Sequence, residues 1–461
     1  MSVAGAAARV TDRLVQGSQV TVHHERQSSR LVRRYVTMFF FAVLAVYAVT
    51  ADYDQAQNSD VIATVVPVWN LVANGSLDIT SFEDLSPWII TVDGRTFSNR
   101  WPGTMAVALV GYVVTAPFHA DSDGPVYWPG TVMAVVVSAI AATVLFRLLW
   151  SLSGGFGAVA AMVVAFGTGL WAVAADALWT HGPSVLASSL AMYALRRNRQ
   201  WWAGICFGCM ALIRPHLLIV AFVVGCVLAR EVRDSRVLLR IGVPSAVGLA
   251  IYAGYVSVVS QTLSLGVSDY VFYAPQGWTR LVSPVAAAIA PRVGLVIYTP
   301  VVLCCLPKLA PAWRAALPWE RAVAFGGLAY VIVQLQLNRF FGGFGFYGHR
   351  LLIEGVVLAL PLLCRSAQLY FEMSNGRAVI TSTLAVASVW ITAVGAVFHV
   401  NRREVLHDPL TTWGPTNVLA DQPAWLVATV YAVGLCGITC ACVLARRRRV
   451  SWCDKTVTVS S

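Results

Sequence analysis

The sequence predicts an all-α, polytopic membrane protein: a helical bundle of about twelve spans plus one re-entrant or interfacial helix. Three observations carry that reading. Of 461 residues, 57% are apolar and 12% charged, and the mean hydropathy is +0.68. Several uninterrupted apolar runs are about 17 to 25 residues long, enough to cross a bilayer as helices. The basic residues gather in short gaps and tails between those runs, as the positive-inside rule requires. That rule accounts for the net charge of +11, and nucleic-acid binding is not expected.

In chain order, residues 1–34 are polar and basic, with Arg26, Arg30, Arg33 and Arg34 ahead of the first apolar run. They lack the small-residue cleavage site of a signal peptide and read as a cytoplasmic tail. Residues 446–461 open with Arg446, Arg447, Arg448 and Arg449 and form the matching tail, so residues 35–445 make up the transmembrane domain. A span at 35–52 carries the chain outward and leaves the loop 52–103 on the exterior face. The run 104–119 is apolar but short, and counting it as a crossing would place Arg147 and the RRNR of 196–199 outside; a re-entrant or interfacial helix is expected there. The remaining spans are 128–148, 156–174, 182–197, 201–214, 216–230, 238–260, 292–308, 320–338, 349–364, 378–398 and 424–445. On this topology the basic clusters fall on one side and both termini are cytoplasmic, in a multi-pass plasma-membrane protein. Most of the ten cysteines lie inside spans, where a thiol acts as a small apolar side chain. Cys206 and Cys209 have no second ligand pair, so packing is expected rather than zinc or redox work.

The exterior end collects acids, histidines, arginines and aromatics. The loop 52–103 holds Asp52, Asp54, Asp60, Asp78, Glu83, Asp84 and Asp93. To it the topology adds Asp176 and His181, Arg214 and His216, Asp269 and Tyr273, the stretch NRFFGGFGFYGHR at 338–350, and Arg402, His407, Asp408 and Trp413. An acid-rich segment between apolar spans is where chemistry is expected. Asp60 is the leading candidate; the alternative is a solvated loop acid or helix N-cap, because an apolar helix follows it.

Four stretches together resemble the GT-C superfamily of membrane glycosyltransferases, which includes protein O-mannosyltransferases and the transferases that add aminoarabinose to lipid A. SDVIATVVPVWNLVANGSLD looks like the family's first exterior loop, with Asp60 at the acidic position and Asn74-Gly75 at the small-residue turn. SNRWPG, Ser98 to Gly103, looks like the proline-glycine segment that follows. WTHGPSVLASSLAMYALRRNRQWWAGICFGCMALIRP is similar to the later pattern ending in a basic residue and proline, with Arg214 at the basic position. GFGFYGHRLLIEGVVLALPLL resembles the late glycine-aromatic segment, with Arg350 at its basic position. The resemblance covers about the first 230 residues and the island at 340–363. One departure is Val61, where the family often has a second acid; it argues against a metal site, while Asp52, Asp54 and His181 leave a divalent cation open.

The resemblance implies an inverting transfer of a sugar, hexosyl or pentosyl, from a polyprenyl-phosphate donor to an envelope glycan, glycolipid or protein acceptor. Such chemistry needs a base for the acceptor hydroxyl and positive charge for the departing phosphate. Asp60 is assigned as the base. Arg350 is the first choice for the phosphate, because a guanidinium grips two oxygens and Gly342, Gly343, Gly345 and Gly348 let backbone approach. Arg214 and His349 are further phosphate candidates, and His181, Arg95, Arg100, Trp101, Tyr273 and Tyr347 are candidates for holding substrate. Each has a plainer role open to it: Arg214 and Arg350 as interfacial anchors, the histidines as structural hydrogen-bonders, Glu354 as the salt-bridge partner of Arg350 one turn away. Two rivals remain. A glycan polymerase or ligase using a lipid diphosphate would depend on arginine and histidine but not Asp60; a transporter would show paired broken helices with charge at the bilayer midplane.

Overall fold

The computed structural model describes residues 31–53, 59–86, 88–119, 122–260, 275–338, 346–399, 413–420 and 422–456. Its main helices are α1 (Leu31–Thr50), α2 (Ser59–Asn74), α3 (Pro102–Thr115), α4 (Trp128–Phe166), α5 (His181–Arg196), α6 (Gln200–Ile213), α7 (Leu218–Val232), α8 (Arg236–Ser260), α9 (Thr279–Ile289), α10 (Pro318–Leu337), α11 (Ile353–Phe371), α12 (Asn375–Phe398) and α13 (Ala424–Thr456). Among the described residues seven helices are long and apolar enough to cross a membrane: α1, α4, α7, α8, α11, α12 and α13. Together they make an integral membrane bundle. The twelve expected crossings also counted α5 and α6, which at 16 and 14 residues span only about 24 and 21 Å against a hydrocarbon core of about 30 Å.

Three expected spans differ in form. The run 128–148 and the first part of 156–174 belong to one helical element, α4, which bends sharply at Ser153 and Gly154 (φ −138° and +54°), and Leu170–Ala174 form a separate π-helical turn. Both ends of α4 return to the end of α1: the Thr131 hydroxyl donates to the Asp52 carbonyl (3.2 Å), and the Tyr47 hydroxyl donates to the Ala165 carbonyl (2.7 Å). The bend is tight enough that a Cβ on Gly157 would stand 2.0 Å from the Leu149 carbonyl oxygen, so glycine is required there. The run 292–308 is not a continuous helix. It breaks into Leu295–Tyr298 and a 3-10 segment, Pro300–Cys305, because Pro300 pushes Thr299 out of helical geometry (φ −132°, ψ 62°).

One end of the bundle is capped by residues 59–101. Helix α2 carries Asp60 in its first turn, where a carboxylate suits the helix dipole, and stops at Gly75 (φ +72°), a left-handed position that glycine adopts without strain. Asn74-Gly75 is thus the turn that the sequence reading placed there. Strands β1 (Ile89–Val92) and β2 (Arg95–Ser98) pair antiparallel across Asp93-Gly94, both at positive φ, the two-residue turn whose twist matches a hairpin. An Asp78 knot ties these pieces together. Its carboxylate accepts from the Thr80 amide and hydroxyl (2.9 and 2.6 Å), its carbonyl accepts from Asn70 (2.6 Å), and the Thr80 hydroxyl accepts from the Thr96 amide (2.9 Å).

Helix α3, begun by Pro102 at a position that needs no amide hydrogen, leads from the cap into the bundle. At 14 residues it is about 21 Å long, short of a full crossing. A Cβ on Gly103 would meet Ile213 and Leu212 backbone at 2.7 Å, so α3 presses against the end of α6 and sets the cap beside Arg214.

Candidate active site

Asp60 sits between two guanidinium groups contributed from distant parts of the chain. Arg100, in the loop between β2 and α3, reaches Asp60 Oδ1 at 2.9 Å; Arg350, just ahead of α11, reaches Oδ2 at 3.2 Å. The side chains are 24% exposed for Asp60 and 13% for each arginine, so the trio is sheltered yet open to a ligand. Aromatic rings back both cations. Arg100 lies 3.9 Å from the centre of the Trp88 ring, and Arg350 lies 4.5 and 4.4 Å from Trp179 and Phe346, within the range of cation–π attraction. Burial alone would raise the Asp60 carboxyl; the adjacent Arg100 and Arg350 charges outweigh it and hold the group below its ordinary range. Asp60 is therefore ionised at neutral pH, and the cluster carries a net positive charge.

A second charged group lies deeper. Arg214, at the end of α6, donates to Glu354 (3.1 Å) and to the Tyr330 hydroxyl (3.0 Å), and reaches Gln334 (3.3 Å). His181, first residue of α5, places Nδ1 2.9 Å from the same Glu354 oxygen. Tyr330 completes the set by donating to the other oxygen at 3.1 Å. Glu354 is fully buried, with Arg214 and His181 at 5% and 3%, and a buried carboxylate is tolerated only when paired and hydrogen-bonded in this way. Trp101 joins the two groups: the Arg100 and Arg214 guanidiniums lie 5.7 and 5.9 Å from its ring centre, and His216 packs edge-on at 6.3 Å.

Asp60, Arg100 and Arg350 therefore share one site, with Trp101, Arg214 and His181 adjacent. The expected pairing of Arg350 with Glu354 is corrected. Arg350 precedes the helix, so the one-turn relation along a helix face does not apply, and Glu354 goes instead to Arg214 and His181. Arg95 stands exposed at the hairpin turn, with its charge acting on Asp78. Tyr347 is buried, donating to the Ile391 carbonyl (2.8 Å) and packing on Tyr298 (5.1 Å), a structural placement. His349 is buried at 4%, and its ring nitrogens meet no hydrogen-bond partner among the described residues. Tyr273, together with Asp54, Asp269, Gly342, Gly343, Gly345, Arg402, His407 and Asp408, lies outside the described residues. Among the described residues no cluster of three or more acids, histidines or cysteines is arranged to hold a metal.

Sequence reasoning missed Trp88, Trp179 and Phe346, the rings behind the arginines, and it missed Tyr330 and Gln334. The last two had a signal: polar groups four apart on an apolar helix share a face and need a partner.

No family model and no curated relative matches the chain by sequence. Among solved structures it is similar to the crystal structure of ArnT from Cupriavidus metallidurans in the apo state, with a TM-score of 0.52 and 18% identity, over 90% of this chain and 72% of that one. At that identity the likeness is one of fold, and the fold of this chain is ArnT-like, the architecture that the GT-C resemblance leads one to expect.

Proposed function

We propose that this protein is an integral-membrane glycosyltransferase of GT-C type. It moves a sugar from a polyprenyl-phosphate donor to an envelope glycan, glycolipid or protein acceptor on the exterior face, with inversion at the anomeric carbon. One observation carries the reading: a single carboxylate, Asp60, lies between two aromatic-backed arginines at the capped end of an ArnT-like bundle. The ArnT-like fold accords with the GT-C resemblance, from which the lipid-linked sugar donor is inferred.

The chemistry follows from the charges. The donor phosphate engages Arg350 and Arg100, which hold it as bidentate donors do. As the arginines turn to the phosphate, Asp60 loses the partners that depress its basicity and becomes the better base. The acceptor hydroxyl oxygen then bonds to the anomeric carbon, its proton passes to Asp60, and the bond from that carbon to the phosphate oxygen breaks. The departing polyprenyl phosphate keeps the electron pair, stabilised by the two guanidiniums. Arg214, already committed to Glu354, serves by fixing Trp101 and the floor of the site. Two arginines share one carboxylate, so the site holds one surplus positive charge, which favours a monophosphate donor over a lipid diphosphate.

The test is transfer from radiolabelled polyprenyl-phosphate sugars in membranes bearing equal amounts of wild type, Asp60→Asn and Arg350→Ala. Loss of transfer in Asp60→Asn, with donor binding retained, supports the reading. Full activity of Asp60→Asn, or no consumption of any polyprenyl-phosphate sugar by the wild type, sinks it.

A further inference from the structure

The opposite end of the bundle holds a cavity whose lining differs in chemistry from the candidate active site. Helices α5 and α6 each begin or end at the candidate active site, through His181 and Arg214; their other ends meet in the turn at Asn198, about 21 to 24 Å away by helix length. That this turn belongs to the far end is fixed by Arg196, which donates to the Leu148 and Ser151 carbonyls at the bend of α4 (3.3 and 2.9 Å). Here a cavity of about 340 Å³ is lined by Asn198, Arg199, Gln200, Trp201, Trp202 and Arg240.

Four features give this cavity a ligand chemistry. Arg199 and Arg240 supply two cations; Asp234 offsets Arg240 in part, at 3.2 Å, and Arg240 also donates to Gln200 (3.0 Å). The first turn of α6 adds backbone amides whose hydrogens have no partner within the helix, and with them the positive end of the helix dipole. The two sides of the cavity are brought together because α6 and α8 touch backbone to backbone: a Cβ on Gly204 would meet the Ile241 and Arg240 carbonyls at 2.7 and 2.8 Å. Trp201 and Trp202, 52% and 60% exposed, line it, and on the same two helices Ile205, Leu239, Val243 and Val247 are exposed as well. A basic pocket beside apolar, exposed helix surface matches a molecule with a phosphate head and acyl tails. A soluble phosphate would leave that apolar surface unused.

We propose that this cavity binds the headgroup of an anionic phospholipid, with the phosphate at Arg199, Arg240 and the start of α6, and with the acyl chains along α6 and α8. The two exposed tryptophans lining the cavity are the residue type that favours the membrane interface. The proposal does not depend on the transferase reading.

Native mass spectrometry of the full-length protein, released from detergent in the presence of phosphatidylglycerol or phosphatidylcholine, tests it. The wild type retains phosphatidylglycerol at least about tenfold better than phosphatidylcholine, Arg199→Gln/Arg240→Gln loses most of that preference, and Arg197→Gln/Arg377→Gln, with the same loss of charge elsewhere at basic positions, keeps it. Because Arg240 also braces Asp234 and Gln200, Arg199→Gln alone is measured beside the double variant, with melting temperatures as the check on folding; the single variant loses preference without losing its melt. Equal retention of the two lipids by the wild type, preference surviving in both Arg199 variants, or equal loss in the Arg197/Arg377 control would overturn the proposal. So would displacement of phosphatidylglycerol by millimolar inorganic phosphate, which would make the pocket a soluble-phosphate site.

Discussion

The two charged clusters of the capped end are built from the same residue types and do opposite things. Around Glu354, one carboxylate meets Arg214, His181 and Tyr330 in full burial, and its oxygens are saturated by neighbours that cannot leave. Around Asp60, two arginines share one partly exposed carboxylate, which leaves positive charge to spare. The first cluster fixes helices α5, α6, α10 and α11 to one another; the second is free to exchange a partner. Ionic groups near a site are thus told apart by surplus charge and access, not by residue type.

The largest expected effect separates the clusters by chemistry. Asp60→Asn lowers the transfer rate by roughly 10²- to 10⁴-fold, the usual worth of general-base help, with the melting temperature nearly unchanged; a variant that is equally active, or that unfolds, breaks the distinction. Glu354→Ala acts on the other side. It strands buried Arg214, and removing one partner of a buried pair costs about 3–5 kcal/mol, read as a fall in thermal stability of detergent-solubilised protein. If Glu354→Ala melts like the wild type, the cluster is not the brace described here.

A pH profile sharpens the comparison further. Because the arginines hold the Asp60 carboxyl below the ordinary value of about 3.9, the ionised base persists throughout the neutral range. Its contribution to kcat/KM is lost only as pH falls through that depressed value. In Arg350→Ala the raising effect of burial is less opposed, so the acid limb moves upward; an unmoved or lowered limb would show that Arg350 does not govern Asp60. The smallest effect belongs to Arg95→Ala. With an exposed hairpin residue removed, stability changes by no more than about 0.5 kcal/mol, and transfer should stay within about twofold of wild type; a larger loss of transfer would place Arg95 in the substrate path after all.

Much of this was legible in the sequence, for local reasons. Asp60 stood out as an acid opening an apolar helix, Gly75 as a turn, and Arg350 as a cation closing a glycine-aromatic stretch. What could not be read was the pairing. Glu354 looked like a neighbour of Arg350 because they are four apart, yet Arg350 lies outside the helix and the true partners, Arg214 and His181, are 140 and 173 positions away. Arg100, considered only as a sugar contact, proved to be the closer cation on Asp60, and its backing by Trp88 depends on a hairpin that four-residue strands barely announce. The expected span at 292–308 had the hydropathy of a membrane helix, but Pro300 sits in its middle.

The rings behind Arg100 and Arg350 bear on how quickly the site can respond. A cation held over an aromatic ring has given up water on that side during folding, and it keeps that neighbour whichever anion it meets on the other. Swinging from carboxylate to phosphate then exchanges one oxygen anion for another across a short arc, with little hydration shell to rebuild. The reorganisation that a solvated arginine would undergo at each turnover has been moved into the fold of the resting protein.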